Sequence, residues 1–81
     1  MKAFYTKNFQ KSFNRFTPEI QNKFEKKINY LLLDLNHPSL KAKKYDETRG
    51  IWQARVDKGV RFYFTIEKDS YILLDIVKHP K

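Results

Sequence analysis

Apolar and polar residues alternate on both sides of Asp57-Lys58-Gly59, and this pattern predicts a β-hairpin over residues 51–66. Period-two alternation is the signature of a strand that buries one face. One parity is predicted to face a core; it consists of Trp52, Ala54, Val56, Val60, Phe62, Phe64 and Ile66. The other parity is predicted to face outwards; it consists of Gln53, Arg55, Arg61, Tyr63 and Thr65.

The faces of this hairpin also predict its turn. A three-residue loop that ends with Gly59 in the left-handed conformation pairs Val56 with Val60, so that buried residues meet. A two-residue loop would pair Val56 with the outward-facing Arg61. The alternation disfavours this loop, because a buried residue would then lie opposite an exposed one. The favoured loop therefore places Arg55 opposite Arg61. Two like charges in that position repel by roughly 0.2–1 kcal/mol, so the pair indicates an anionic ligand.

Helical spacing of apolar residues predicts two helices before the hairpin. Phe9, Phe13 and Phe16 recur at i, i+4 and i+7 within residues 8–16. Thr17-Pro18-Glu19 then supplies an N-cap, a favoured first helical residue and an acidic first turn. The second helix is predicted to run from 18 to about 35, with an apolar face of Ile20, Phe24, Ile28, Leu31, Leu32 and Leu35.

Strands are predicted on either side of these elements. Residues 2–6 form a first strand, Pro38 ends the second helix at His37, and residues 40–45 are expected to be partly extended. In a last strand over 71–77, the predicted inward face consists of Ile72, Leu74 and Ile76. Pairing Glu67 with Tyr71 would place Tyr63 opposite Asp75 and Arg61 opposite Val77.

The predicted order is therefore β-α-α-β-β-β, an α+β fold. An N-terminal helical hairpin packs on one face of a small, mainly antiparallel sheet, and residues 1–81 form a single domain. The predicted core is Phe9, Phe13, Phe24, Ile28, Leu31, Trp52, Phe62, Phe64 and Leu74. The open face gathers two arginines, a tyrosine, a carboxylate and a histidine, namely Arg55, Arg61, Tyr63, Asp75 and His79.

Composition narrows the classes of partner. The chain has 17 Lys and Arg against 9 Asp and Glu, a net charge of +8. This excess predicts a polyanionic partner, which is nucleic acid, an anionic membrane or an acidic protein, although it also promotes solubility. No cysteine is present, and two distant histidines offer little for a metal site. Neither a signal peptide nor a membrane span is predicted, so a cytoplasmic location is expected.

Three segments carry a resemblance to a known family. HPSLKAKKY follows the second helix, IWQARV pairs with VRFYFTI, and ILLDIVKHPK ends the sequence. In this order they resemble the RelE/ParE superfamily of toxins from type II toxin–antitoxin systems. The resemblance implies a cognate acidic antitoxin as partner and no cofactor. For the RelE-like branch it implies a metal-independent endoribonuclease that cuts mRNA on the ribosome and so inhibits translation.

The resemblance also assigns roles to individual residues. Arg61 matches the arginine that holds the scissile phosphate, Arg55 assists it, and His79 matches the terminal acid/base position. The expected RNA-binding residues are Lys41, Lys43, Lys44, Gln53 and Tyr63. A phosphate-binding role suits the arginine fork, and a histidine titrates near neutrality.

This sequence also departs from the family pattern. No tyrosine follows the last strand, and Ser39 stands where some members have a glutamate before the Leu-Lys pair. The identity of the general base is therefore open. Two alternatives stay beside the ribonuclease: a ParE-like toxin that inhibits DNA gyrase without cutting RNA, and a basic RNA-binding module without toxicity.

Overall fold

A computed structural model of the chain describes residues 1–79, which form two helices and one five-stranded sheet. The helices lie between the first and second strands and contribute to the same apolar core as the sheet, which confirms the predicted α+β fold. In chain order the elements are β1 (Lys2–Tyr5), α1 (Lys7–Phe13), α2 (Pro18–Leu33), β2 (Lys43–Asp46), β3 (Ile51–Asp57), β4 (Val60–Glu67) and β5 (Ser70–Lys78).

Threonine caps begin both helices. The hydroxyl of Thr6 accepts a hydrogen bond from the backbone N–H of Phe9 at 3.1 Å, and that of Thr17 accepts one from Ile20 at 3.3 Å. Pro18 follows as the first residue of α2, where its missing N–H costs no helical hydrogen bond. Within the described residues, neither helix is long and apolar enough to cross a membrane.

Both helices end a few residues earlier than their apolar spacing predicts. α1 ends at Phe13, where Gln21 donates side-chain hydrogen bonds to the carbonyls of Phe13 and Phe16 and so supports the link to α2. α2 ends at Leu33 because Asp34 has extended backbone angles.

The strands lie in the order β1-β5-β4-β3-β2. β1 runs parallel to β5, and the other neighbouring pairs are antiparallel. Strand β2 adds one element to the predicted order; it falls in the segment that was expected to be partly extended. β2 and β1 are the two edges of the sheet, so β2 borders only β3.

The β3–β4 hairpin has the predicted arginine pair but not the predicted turn. Arg55 lies opposite Arg61, as expected. Asp57 pairs with Val60, however, and a β-bulge lies between Arg55 and Asp57. Gly59 does not have the predicted left-handed backbone. The bulge takes up the extra residue, Val56, so a two-residue turn still leaves Val56 and Val60 buried at 2% and 5% exposure.

A second bulge changes the predicted face of β5. Tyr63 lies opposite Asp75 and Arg61 opposite Val77, as predicted, but Phe64 lies opposite Leu73. Leu74 is thus an extra residue in β5, and a one-residue shift exchanges the two faces of a strand.

The bulge corrects two predictions. Leu74, predicted for the core, is only partly buried, whereas Leu73 is fully buried. Glu67 pairs with Ser70 instead of Tyr71. A third correction concerns β4, whose faces are not exchanged: Ile66, predicted to be buried, is 38% exposed near the end of that strand.

The remaining predicted core residues do share one cluster. Phe13 and Trp52 are partly buried and pack against fully buried residues. Phe24 of α2 joins the layers, because its ring centroid lies 5.1 Å from that of Phe9 and 5.3 Å from that of Phe62. The buried cluster is Phe9, Phe24, Ile28, Leu31, Leu40, Ala54, Val56, Val60, Phe62, Phe64, Tyr71, Leu73 and Ile76.

Two leucines of α2 provide a matched test of this core. Leu31 is 0% exposed and Leu33 is 83% exposed. Leu31→Ala should lower the free energy of unfolding by about 2–5 kcal/mol, because it leaves a cavity. Leu33→Ala should change it by less than about 0.5 kcal/mol. Denaturant unfolding of the two variants measures both values, and equal losses would contradict the packing described.

Candidate functional site

A concave pocket of ≈ 560 Å³ gathers most of the predicted site residues. Its lining consists of Lys41, Lys43, Lys44, Tyr45, Gln53, Arg55, Arg61 and His79. We call it the basic pocket, because five of these eight residues are Lys or Arg and none is Asp or Glu. Seven of the eight were predicted from the sequence; Tyr45 was not. Tyr63 is the predicted site residue that does not line the pocket.

The two arginines differ in how they are held. Arg55 is exposed, and its backbone N–H donates to the carbonyl of Leu40 at 2.8 Å. Arg61 is only 6% exposed. Its Nη1 donates to the carbonyls of Asp57, Lys58 and Val60 at 2.7, 3.2 and 3.1 Å. Arg61 lies on the face that the alternation predicted, since it lines the pocket, but it is buried and not exposed, and its guanidinium also holds the β3–β4 turn.

These contacts leave part of the Arg61 guanidinium available. Within residues 1–79, hydrogen bonds from this side chain are formed by Nη1, and no buried side-chain nitrogen or oxygen lacks a partner. Nε and Nη2 have no hydrogen-bond partner within residues 1–79, and Arg61 lines the basic pocket. A cation that is already fixed by the fold can bind an anion without reorganising, which is the arrangement that stabilises developing negative charge.

Arg61 and Asp75, which were predicted to share the open face, form no ion pair among the residues described. Oδ1 of Asp75 instead accepts a hydrogen bond from the backbone N–H of Ile76 at 2.9 Å. Among the described residues, no carboxylate lines the pocket to neutralise Arg61 and Arg55.

The loop before β2 brings the lysines to the pocket. Lys41 has a φ of 47°, a left-handed conformation that is uncommon for a residue other than glycine. Its neighbour Leu40 is fully buried and binds β3 through the Arg55 N–H, so packing holds the strained backbone. Further along, Lys43 lies opposite Gln53, and Nζ of Lys44 lies 5.8 Å from the centroid of the Trp52 ring.

His37, which was expected only to end the second helix, supports this loop. Its ring stacks on Tyr30 with centroids 4.0 Å apart and planes 4° apart. Its Nδ1 accepts the backbone N–H of Ser39 at 3.2 Å, and Nζ of Lys27 donates to the Ser39 carbonyl at 3.0 Å. Burial lowers the pKa of Lys27, and nearby Asp57 opposes this effect. The loop is thus anchored to α2.

Tyrosines stand at the rim. Tyr45 is the bulged residue between Lys44 and Asp46 and is 59% exposed. Its ring lies edge-to-face with Tyr63, with centroids 4.9 Å apart and planes at 65°. Burial raises the pKa of Tyr63, and Tyr45 adds to this while Arg61 opposes it, so Tyr63 carries its proton at neutral pH. The sequence signal that could have identified Tyr45 was the segment Leu40–Tyr45, in which lysines are interspersed with Leu40, Ala42 and Tyr45.

His79 closes the pocket from the end of β5. Its backbone N–H donates to the carbonyl of Gly59 at 2.7 Å, and its side chain is exposed. The hairpin turn therefore places His79 at the same pocket as Arg55 and Arg61. The end of the ILLDIVKHPK motif, residues 80 and 81, lies outside the described residues. No group of three or more metal-ligating side chains occurs in residues 1–79.

Comparison by sequence finds no relative: no protein-family model matches the chain, and no curated protein matches it. Comparison by structure does. The YoeB/ParE toxin from Agrobacterium tumefaciens aligns with a TM-score of 0.81 at 15% identity, over 99% of this chain and 100% of that chain.

Two further solved structures align closely. The YoeB dimer from Staphylococcus aureus has a TM-score of 0.83 at 10% identity, over 99% of this chain and 98% of that chain. The RelB-RelE antitoxin-toxin complex from Methanococcus jannaschii has a TM-score of 0.74 at 16% identity, over 93% and 88%. The chain therefore shares the fold of these toxins, which the sequence motifs had indicated.

Proposed function

We propose that this chain is the toxin of a type II toxin–antitoxin pair and that it cuts mRNA on the ribosome in the cytoplasm. The observation that carries the proposal is the basic pocket, in which Arg55 and Arg61 lie side by side with His79. The toxin assignment rests on the shared fold, which is an argument by analogy. The ribonuclease assignment rests on the chemistry of the pocket.

RNA carries its own nucleophile. When a base removes the proton of a 2′-hydroxyl, that oxygen attacks the adjacent phosphorus. The bond from phosphorus to the 5′-oxygen then breaks, and the leaving oxygen takes a proton from an acid. The products are a 2′,3′-cyclic phosphate and a 5′-hydroxyl. A protein accelerates the reaction by supplying cations for the added negative charge and groups that move the two protons.

The basic pocket supplies cations that can stabilise the added negative charge. Arg61 is fixed by three carbonyls, and Arg55 lies opposite it on β3. Guanidinium groups match phosphate oxygens two at a time. Lys41, Lys43 and Lys44 extend the positive surface along β2 and its preceding loop, where they would contact the phosphates on either side, so no metal ion is needed for charge stabilisation.

Among the lining residues, His79 is the group suited to proton transfer near neutral pH. We assign it to protonate the leaving oxygen. Ser39 is engaged with His37, its hydroxyl lying 2.9 Å from Nδ1, so it supplies no base. One positioned acid or base contributes roughly 10²–10⁴-fold. A site with one such group should therefore cut more slowly than a site with two.

Only one candidate proton-transfer group, His79, is present among the described lining residues, and this observation favours the alternative function. A toxin that inhibits DNA gyrase by binding needs the fold and the charge but not the acid and base. The two functions differ in a direct way, because only the ribonuclease leaves RNA fragments with cyclic phosphate ends.

Arg55 is the better arginine for a test of catalysis. It is exposed, whereas Arg61→Ala would also remove the hydrogen bonds that hold the turn. Arg55→Ala should slow mRNA cleavage in a translation extract by up to roughly 10²-fold, the lower end of the loss for a preorganised donor, because the fold does not fix this side chain. The melting temperature should not fall, since the change removes the repulsion between the two arginines. Arg15→Ala removes an exposed arginine that does not line the pocket and should leave cleavage unchanged.

Two results would count against this assignment. Equal rates for wild type and Arg55→Ala would remove the arginine pair from the reaction. Growth inhibition by a wild type that yields no RNA fragments would favour gyrase inhibition.

His79→Gln tests the proton-transfer role. Glutamine keeps hydrogen-bonding capacity but cannot give a proton to the leaving oxygen, so the variant should cut more slowly by roughly 10²–10⁴-fold. The measurement is the single-turnover cleavage rate of the variant and of the wild type. Equal rates would show that another group donates the proton.

The antitoxin is proposed to be acidic and to cover the basic pocket. Complementary charge speeds association more than it strengthens the final complex. Lys43→Glu reverses an exposed charge in the pocket lining and should slow association of the cognate antitoxin in a stopped-flow experiment. Lys26→Glu makes the same change in α2, outside the lining, and should have the smaller effect. Equal effects would place the antitoxin elsewhere.

A further inference from the structure

The aromatic side chain of Tyr45 is exposed to solvent. It is 59% exposed although it lies in a strand, and it lines the basic pocket beside Lys43 and Lys44. The β-bulge between Lys44 and Asp46 displaces it from the regular pairing of β2 with β3. Bulges commonly re-aim a side chain next to a functional site. The position gives Tyr45 little role in the core, from which it is absent.

Tyr63 supports the exposed ring from one side. The edge-to-face contact, with centroids 4.9 Å apart, restricts the tilt of the Tyr45 ring and leaves much of its surface uncovered. Tyr63 is itself half-buried in β4, opposite Gln53 and Asp75. Tyr45 is therefore a supported aromatic surface at the rim of a cationic pocket.

The combination points to one class of ligand. Inorganic phosphate and acidic peptides would use the cations but have no need of an exposed aromatic face. Single-stranded nucleic acids use both, because the phosphates bind Lys and Arg while the bases stack on Tyr, Phe or Trp. Lys43 and Tyr45 are two residues apart on one strand and both line the pocket, so one ligand can contact them together.

We propose that Tyr45 forms a nucleobase-binding subsite, in which a base of single-stranded RNA stacks on its ring while a neighbouring phosphate binds Lys43 and Arg55. This inference rests on the proposed RNA-binding function of the basic pocket and adds to it a residue that the family resemblance does not include. Stacking accepts any base, so the subsite positions the strand and does not select its sequence.

The test measures binding apart from cleavage. A fluorescently labelled, 2′-O-methylated RNA oligonucleotide is not cut, because the attacking hydroxyl is blocked, and its affinity follows from anisotropy. Tyr45→Ala should weaken binding by about 5- to 150-fold, the range for loss of one stacked base. Tyr45→Trp should keep the affinity. Thermal unfolding should show that both variants are folded.

Phe4→Ala is the matched control. Phe4 is 53% exposed, close to the exposure of Tyr45, and lies in β1 at the opposite edge of the sheet. Its removal should leave RNA affinity unchanged. An equal loss in Phe4→Ala and Tyr45→Ala would overturn the subsite, since any exposed aromatic would then have the same effect.

Abasic oligonucleotides locate the stacked base. In the wild type, removing the base at one position of the oligonucleotide should weaken binding about as much as Tyr45→Ala does. In Tyr45→Ala the same abasic oligonucleotide should bind no more weakly than the intact one, because the partner of the base is already lost. Additive losses would overturn the stacking contact.

The outcomes separate the two proposals. If the wild type binds the intact oligonucleotide and Tyr45→Ala binds it equally well, the subsite is wrong and the RNA-binding function stands. If the wild type does not bind the oligonucleotide, the subsite is overturned, and the cleavage assay in a translation extract decides the ribonuclease function separately.

Discussion

Two arginines in directly opposed positions are the feature on which the rest of the site depends. Arg55 and Arg61 face each other across β3 and β4, a pairing that is unfavourable by roughly 0.2–1 kcal/mol. Phe62 and Phe64 are 0% exposed, and their burial holds β4 against the core. Three turn carbonyls hold the Arg61 guanidinium. The fold thus holds two positive charges close together, and a bound anion would reduce the repulsion between them.

The sequence predicted this pair because strand alternation is strong around the hairpin, and the same pattern predicted most of the lining of the basic pocket. The errors in the hairpin turn and in the faces of β5 have a common physical cause. A bulge inserts one residue without a distinct sequence signal, so the alternation was extended through Val56 and Leu74 as if the strands were regular. Leu73 and Leu74 are chemically identical, so only the bulge determines which is buried.

Tertiary contacts set the remaining differences. Arg61 was predicted to be exposed from the strand alternation, but it is buried, because it binds carbonyls of a turn whose geometry the local pattern does not reveal. Lys41 reaches the pocket through a left-handed backbone held by buried Leu40. Tyr45 owes its position to the bulge in β2. Solved structures share this fold at 10–16% identity, so the fold alone does not specify the reaction, and the pocket residues carry the functional argument.

The most direct test of the account is an NMR titration of the protein, uniformly labelled with ¹⁵N, with a non-cleavable single-stranded RNA. If the basic pocket binds RNA, the largest amide shifts should cluster in the loop and strand around Lys41 and Lys43 and in the hairpin around Arg55 and Arg61. These shifts should diminish at high salt. RNA phosphates release counterions when they bind Lys and Arg, and added salt opposes that release and so weakens binding. Shifts confined to the helical side of the protein, or no shifts at low salt, would contradict the claim that the basic pocket binds RNA.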